Sequence, residues 1–166
     1  IHAGLSISES RKHLLTFSSS YFTIDLHFYV HQKLQDVNNI NDLSPYAIGV
    51  VNGSVQPELL TENYPWAQKK YYRDRHELYQ AAVDSEVLVI TGLEKIPENS
   101  SYYSLMTDLF PAYKSLRYQQ SKYGVAVAKG NNKLMRFIEE GFQKIPEAKK
   151  MAIELKWLGL EKHNKS

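Results

Sequence analysis

The chain has 166 residues, enough for one domain or two small lobes, and its 43% hydrophobic and 12% aromatic content supplies a core and excludes a disordered chain. Basic and acidic side chains nearly balance, 20 against 18, for a formal net charge of +2, so the concentrated positive field of a nucleic-acid binder is missing. The sequence contains no cysteine, which excludes disulfides, thiol catalysis and cysteine-based zinc sites but leaves the compartment open.

No apolar run reaches the length of a membrane span. Because the chain begins at Ile1, a processed or truncated start is expected. The opening stretch AGLSISESRKHLLTFSSSYF (3–22) reads as the end of a strand followed by a turn that displays hydroxyls beside Arg11. YFTIDLHFYVH (21–31) is rich in aromatic and β-branched residues with approximate alternation, the pattern of a long strand. VNNINDL (37–43) is a polar linker with Asp42 placed to cap a short turn.

AIGVV (47–51) reads as a buried strand that ends at Asn52-Gly53-Ser54. A helix, QPELLTENY, follows and stops at Tyr64-Pro65, because proline disfavours helical geometry in the residue before it. DRHELYQAAV (74–83) reads as a second helix, with Asp74 and Glu77 at capping-box spacing and Leu78, Ala81 and Ala82 on one face. EVLVIT (86–91) is a second buried strand, closed by Gly92. Strand, helix, helix, strand with near-continuous apolar strands implies a parallel sheet covered by helices on both faces, with AIGVV and EVLVIT as neighbours.

KYGVAVAKGNN (122–132) is a further extended run, ended by Gly130 and two asparagines. Thereafter the pattern is helical. Leu134, Phe137, Ile138 and Gly141 share a stripe on a helix that closes before Pro146, and a last helix from about Glu147 to Trp157 presents Ala148, Met151, Ala152 and Leu155. The expected architecture is a central α/β lobe entered and left by two extended segments, with the two ends of the chain packed together elsewhere. Two connections between lobes make a hinge, and ligands of open α/β sheets sit at the carboxyl ends of the strands.

Four segments, in order, resemble the family 3 extracellular solute-binding proteins, the amino-acid-binding Venus-flytrap group: GLSISESRKHLLTFSSSYF, INDLSPYAIGVVNGS, YGVAVAKGNNKLMRFIEEGFQKI and the terminal IELKWLG. The resemblance implies an α/β, two-lobed periplasmic-binding-protein-like (type II) fold whose second lobe is complete and whose first is partial. Residues 1–26 would belong to lobe one, 27–122 to lobe two, and 123–166 would return to lobe one as hinge strand and C-terminal helices. The match begins partway through lobe one. A missing lobe-one segment, or a swapped partner chain, is therefore expected to cover Leu134, Phe137 and Ile138.

The resemblance also implies roles. Arg11 stands where the family clamps the ligand's carboxylate, and a guanidinium fork suits that task; as a plain turn residue it would instead pair with Glu9 on the surface. Gly4 and Ser6 correspond to positions whose backbone and hydroxyl hydrogen-bond the ligand. Gly53-Ser54 lies between strand and helix, where glycine lets the backbone approach closely and the free N–H groups of the helix form an anion site; Ser54 also suits a plain N-cap. Where the family places a carboxylate for the ligand's ammonium, this chain has Thr91, which accepts a hydrogen bond but cannot neutralise a charge. Either the ligand lacks an amino group, or another carboxylate serves, or binding is weak or lost; or Thr91 is a strand-end residue without function.

The implied function is an extracytoplasmic domain, on the periplasmic or extracellular side of a bacterial membrane, that closes around a small polar, carboxylate-bearing ligand for ABC-type uptake with a membrane transporter, or for signalling through a receptor. No cofactor, metal, nucleic acid or catalytic residue is expected. The alternative is a non-catalytic or dehydratase-like module of a cell-envelope enzyme, which would need a cleft acid or base with a perturbed pKa.

Other patterns carry less. His27 and His31, four apart in a strand, lie about 13 Å from each other, too far to share a metal. KKYYRDRHELYQ interleaves basic and aromatic residues, but Asp74 and Glu77 interrupt it, and a solvated helix face accounts for it. Asn52-Gly-Ser, Asn99-Ser-Ser and Asn164-Lys-Ser match a glycosylation triplet that arises often by chance. No serine–histidine–acid set has a strand–turn–helix context.

Overall fold

A computed structural model describes residues 1–93 and 101–158. In chain order the elements are β1 (His2–Ser6), α1 (Glu9–Leu14), β2 (Leu15–Phe17), β3 (Phe22–Val30), β4 (Ala47–Val51), α2 (Gln56–Asn63), β5 (Gln68–Tyr72), α3 (Arg75–Val83), β6 (Val89–Leu93), α4 (Tyr103–Leu109), β7 (Leu116–Ala128), α5 (Asn132–Gln143) and α6 (Glu147–Leu158). Short 3-10 turns cover Ile40–Leu43 and Ala112–Lys114. The chain divides into two compact units: residues 1–22 with 123–166, and residues 23–122. The architecture is α/β, as expected from the alternation of apolar strands and helices.

In the 23–122 unit the strand order is β7–β3–β6–β4–β5. β4 pairs parallel with both β6, at Ile48↔Val89 and Gly49↔Ile90, and β5, while β3 lies antiparallel to β6. AIGVV and EVLVIT are thus parallel neighbours. The second strand starts later than its apolar run, at Val89, and continues through Gly92 rather than stopping there. Glu86 and Val87 belong to the exit from α3, where Glu86 N–H donates to the Ala81 carbonyl at 2.8 Å.

Strand alternation sorts this unit's core into two layers. Leu26, Phe28, Val30, Ile48, Val50 and Val89 face one layer, which α2 closes with Leu60. Tyr29 and Ile90 face the other, closed by Leu78, Tyr79 and Ala82 of α3 and Met106 of α4. Helices therefore cover both faces, the reason the strands are apolar nearly throughout. At Gly49 the α3 packing leaves no room for a side chain: a Cβ there would lie 2.6 Å from Leu78 Cδ1. β5, QKKYY, is an edge strand, and its lysines keep that edge soluble. The linker turn is capped as expected: Asp42 accepts from the Asn38 and Asn39 N–H groups at 2.9 and 3.0 Å, which holds its carboxyl below the usual range.

In the other unit β1 and β2 both pair antiparallel with the end of β7, at Leu5↔Gly124 and at Phe17↔Ala126. The expected turn between them contains a short helix, α1, capped by Ser8, whose Oγ accepts from Arg11 N–H. The hydroxyls that follow are structural. Ser18 Oγ is buried and accepts from Val125 N–H at 2.9 Å, and both the N–H and Oγ of Ser19 donate to Glu139 of α5. On α5 the buried residue is Met135, while Phe137, expected on the inward stripe with Leu134 and Ile138, is 73% exposed. Leu134 and Ile138 are half-buried. On α6 Met151, Ile153 and Leu155 are also exposed; the Gly159 end of IELKWLG and the Asn164 triplet lie outside the described residues, as does Asn99.

Candidate functional site

The sequence-derived site residues fall into both units. Gly4, Ser6 and Arg11 belong to the 1–22 segment; Gly53, Ser54 and Thr91 belong to the 23–122 unit.

In the first unit Ser6 ends β1 and is 5% exposed. Arg11 sits one turn into α1, and its Nη1 donates to the Ser6 carbonyl at 3.0 Å. The surface pair open to it on sequence grounds goes elsewhere, since Glu9 meets Lys12 at 2.6 Å and its carboxyl is held below the usual range by that lysine. Gly4 is required by a neighbour: a Cβ there would sit 2.8 Å from the Tyr21 hydroxyl, which donates to the Ala3 carbonyl at 2.7 Å. Gly4 thus packs against Tyr21, and Arg11 is tied to the end of β1 through the Ser6 carbonyl.

In the second unit the chain leaves β4 through Asn52-Gly53-Ser54. Gly53 has φ +72°, the left-handed region that glycine enters without strain. Ser54 Oγ donates to the Val51 carbonyl at 2.6 Å and closes the turn. It is not the N-cap of α2: Val55 holds that position and supplies no side-chain cap. Thr91, from the adjacent β6, is 5% exposed, and its Oγ1 donates to the Gly49 carbonyl at 3.2 Å.

These two hydroxyls share a cavity of about 70 Å³, lined by Val51, Ser54, Gln56, Arg75, Leu78, Tyr79 and Thr91. It lies where β4 runs out and where α2 and α3 begin, the carboxyl-end position at which open parallel sheets hold ligands. Gln56 is the first residue of α2 and only 8% exposed. Arg75 is the first of α3, next to its cap Asp74, whose side chain accepts from Glu77 N–H at 2.9 Å. Burial pushes the Tyr79 hydroxyl up in pKa, with the adjacent Arg75 pulling the other way, so the phenol stays protonated at neutral pH.

Gln56, Arg75 and Tyr79 were not legible as site residues. Arg75 lies in the KKYYRDRHELYQ run, whose charge reads as a solvated helix face; its first four residues instead belong to β5, parallel to β4, so the start of α3 falls at the same sheet edge as the Gly53-Ser54 turn.

No family model and no curated protein matches the sequence. The backbone does match solved structures. The periplasmic VFT2 domain of Bordetella pertussis BvgS gives a TM-score of 0.71 at 18% identity, over 93% of this chain and 65% of that one. An ancestral arginine-binding protein bound to arginine gives 0.71 at 21% identity, over 93% and 69%. The solute receptor for L-cysteine of Neisseria gonorrhoeae gives 0.71 at 15%, over 93% and 61%. The chain has the Venus-flytrap, periplasmic-binding-protein-like fold. It spans about two thirds of the length of these structures, and what it shares with them is this fold. In Venus-flytrap terms the 23–122 unit carries a sheet with helices on both faces and a polar cavity at the carboxyl end of β4.

Proposed function

We propose that this chain is a non-enzymatic solute-binding domain, acting on the periplasmic or extracellular side of a bacterial membrane. It closes lobe two, residues 27–122, and lobe one, residues 1–26 with 123–166, on a small carboxylate-bearing, amino-acid-like ligand. The observation that carries the reading is the cavity at the end of β4, in which Ser54 and Thr91, both chosen from the sequence, meet buried Gln56. A fold shared with an arginine-binding protein and an L-cysteine receptor supports it.

In this reading Arg11 holds the ligand's carboxylate from lobe one, with Gly4 and Ser6 beside it, and the Gly53-Ser54 turn and Thr91 contact the ligand from lobe two. The exposed Phe137 and its half-buried neighbours on α5 are the face that the remainder of lobe one, or a swapped second chain, covers. Uptake and signalling differ in what surrounds the domain: a lone signal peptide in the full-length gene marks a transporter's receptor, and a downstream membrane span marks a sensor.

Isothermal calorimetry against a panel of carboxylates tests the reading. L-arginine, L-glutamine, L-cysteine, L-glutamate, succinate and glutarate are titrated in turn. Saturable heat with at least one of them is expected, and a silent panel overturns it.

A further inference from the structure

We propose that Asn52 is a site of self-modification. The backbone nitrogen of Gly53 displaces the side-chain amide of Asn52 and leaves an isoaspartate or aspartate in the turn that follows β4. The proposal does not depend on the solute-binding reading.

Asn52 is the one asparagine in the sequence that glycine follows. That neighbour matters because it owns the attacking nitrogen, and a Cβ on it would crowd the approach. The structure leaves the approach open. Gly53 has φ +72°, and no atom lies within 4 Å of the place a Cβ would take. Both residues are exposed, so water reaches the amide. The backbone around them is held: Asn52 N–H donates to the Tyr72 carbonyl at 2.8 Å, and Ser54 N–H to the Val51 carbonyl at 3.3 Å. Among the described residues no hydrogen bond ties the Asn52 side chain. Other asparagines differ. Asn38, Asn39 and Asn63 donate their side-chain amides to the Asp36 carbonyl, the Asp42 carboxylate and the Leu59 carbonyl, and Asn131 Oδ1 accepts from Leu134 N–H.

The chemistry needs only water. Gly53 N bonds to Asn52 Cγ in an intramolecular attack. The side-chain amino group leaves as ammonia, carrying the proton that the Gly53 N–H gives up, and a cyclic imide remains. One water then opens the ring. Addition at the side-chain carbonyl gives aspartate, and addition at the main-chain carbonyl gives isoaspartate. Either product replaces a neutral amide by a carboxylate and lowers the formal net charge by one unit from +2. Isoaspartate also inserts a carbon into the main chain between Val51 and Ser54, the span that the 3.3 Å bond closes, so that bond loses its geometry.

The whole chain, kept folded in mildly alkaline heavy-oxygen water and then digested in acid, supplies the test by peptide mass. The Asn52 peptide should take up label ahead of the peptides carrying Asn38, Asn39, Asn63 or Asn131. Gly53→Ala should slow that uptake by about tenfold, the equivalent of roughly 1.4 kcal/mol of barrier. Asn52→Gln, whose longer side chain must close a larger ring, should abolish the excess at this position, and a thermal melt verifies that both variants fold. Uptake at Asn52 no faster than at Asn131, or uptake that appears only when the chain is unfolded in urea, overturns the proposal. In the isoaspartyl form, separated by charge, the Ser54 amide should exchange with solvent faster than in the unconverted chain. Unchanged exchange overturns the assigned effect on the turn.

Discussion

Thr91 Oγ1 lies 3.2 Å from the carbonyl oxygen of Gly49, so a hydroxyl on β6 is tied to the backbone of β4 at the floor of the cavity. This bond decides what Thr91 offers a ligand. With its proton committed, the residue offers a ligand only an uncharged acceptor. Thr91→Val keeps the shape and removes the bond, leaving a buried carbonyl one partner short. A loss of about 1 kcal/mol is expected, read as a lower urea midpoint with an unchanged slope. An unchanged midpoint would show that the bond contributes nothing to the folded state.

Arg11 already donates to the Ser6 carbonyl, so its guanidinium is oriented before any ligand arrives. Arg11→Ala should weaken binding of a confirmed carboxylate ligand by about 1.5–3 kcal/mol, the scale for a hydrogen bond to a charged group. Calorimetry on wild type and variant measures it. Identical affinities would remove Arg11 from the site.

Phe137 on α5 leaves a large apolar side chain in water. In the covered-face proposal it is the contact for the covering segment, and exposed apolar surface of that kind can associate. Sedimentation velocity of the isolated chain should show concentration-dependent self-association, and Phe137→Glu should reduce it by placing a charge in the contact. A chain that sediments as a monomer at every concentration would contradict the covered-face proposal.

His31 is fully buried, with Nε2 unpaired among the described residues and Nδ1 accepting from Lys33 N–H at 3.1 Å. Burial, with a smaller contribution from Lys33, lowers its pKa below the ordinary histidine value. In the window between the lowered folded value and the unfolded value near 6.5, the unfolded chain binds more protons. Stability should therefore be fully present above about pH 6.5 and decline as pH falls through that window. His31→Asn keeps an acceptor for Lys33 and removes the titration. Its urea midpoint should vary less with pH than that of wild type between pH 7.5 and 5, and identical pH profiles would exclude His31 as the source.

Local sequence determined the elements whose signals are local. Alternation marked β3, continuous apolar runs marked β4 and β6, and Asp74 announced the start of α3 through a cap that the structure contains. The parallel β4–β6 pair was legible for the same reason, since only a doubly covered strand is apolar on both faces. Three features were not. α1 buries no residue, so it has no apolar stripe to detect, and β5 exposes most of an edge strand and reads as charge. α5 turns Phe137 outward although its spacing fits an inward face, because helical periodicity fixes which residues share a stripe and not which stripe is covered. The cavity depended most on tertiary structure. Ser54 and Gln56 lie far along the chain from Arg75 and Thr91, and their meeting follows from the parallel registers of β4 with β5 and β6, which bring the strand ends and helix starts to one edge. Those registers are set by packing in two layers, a long-range property that no short stretch of this sequence encodes.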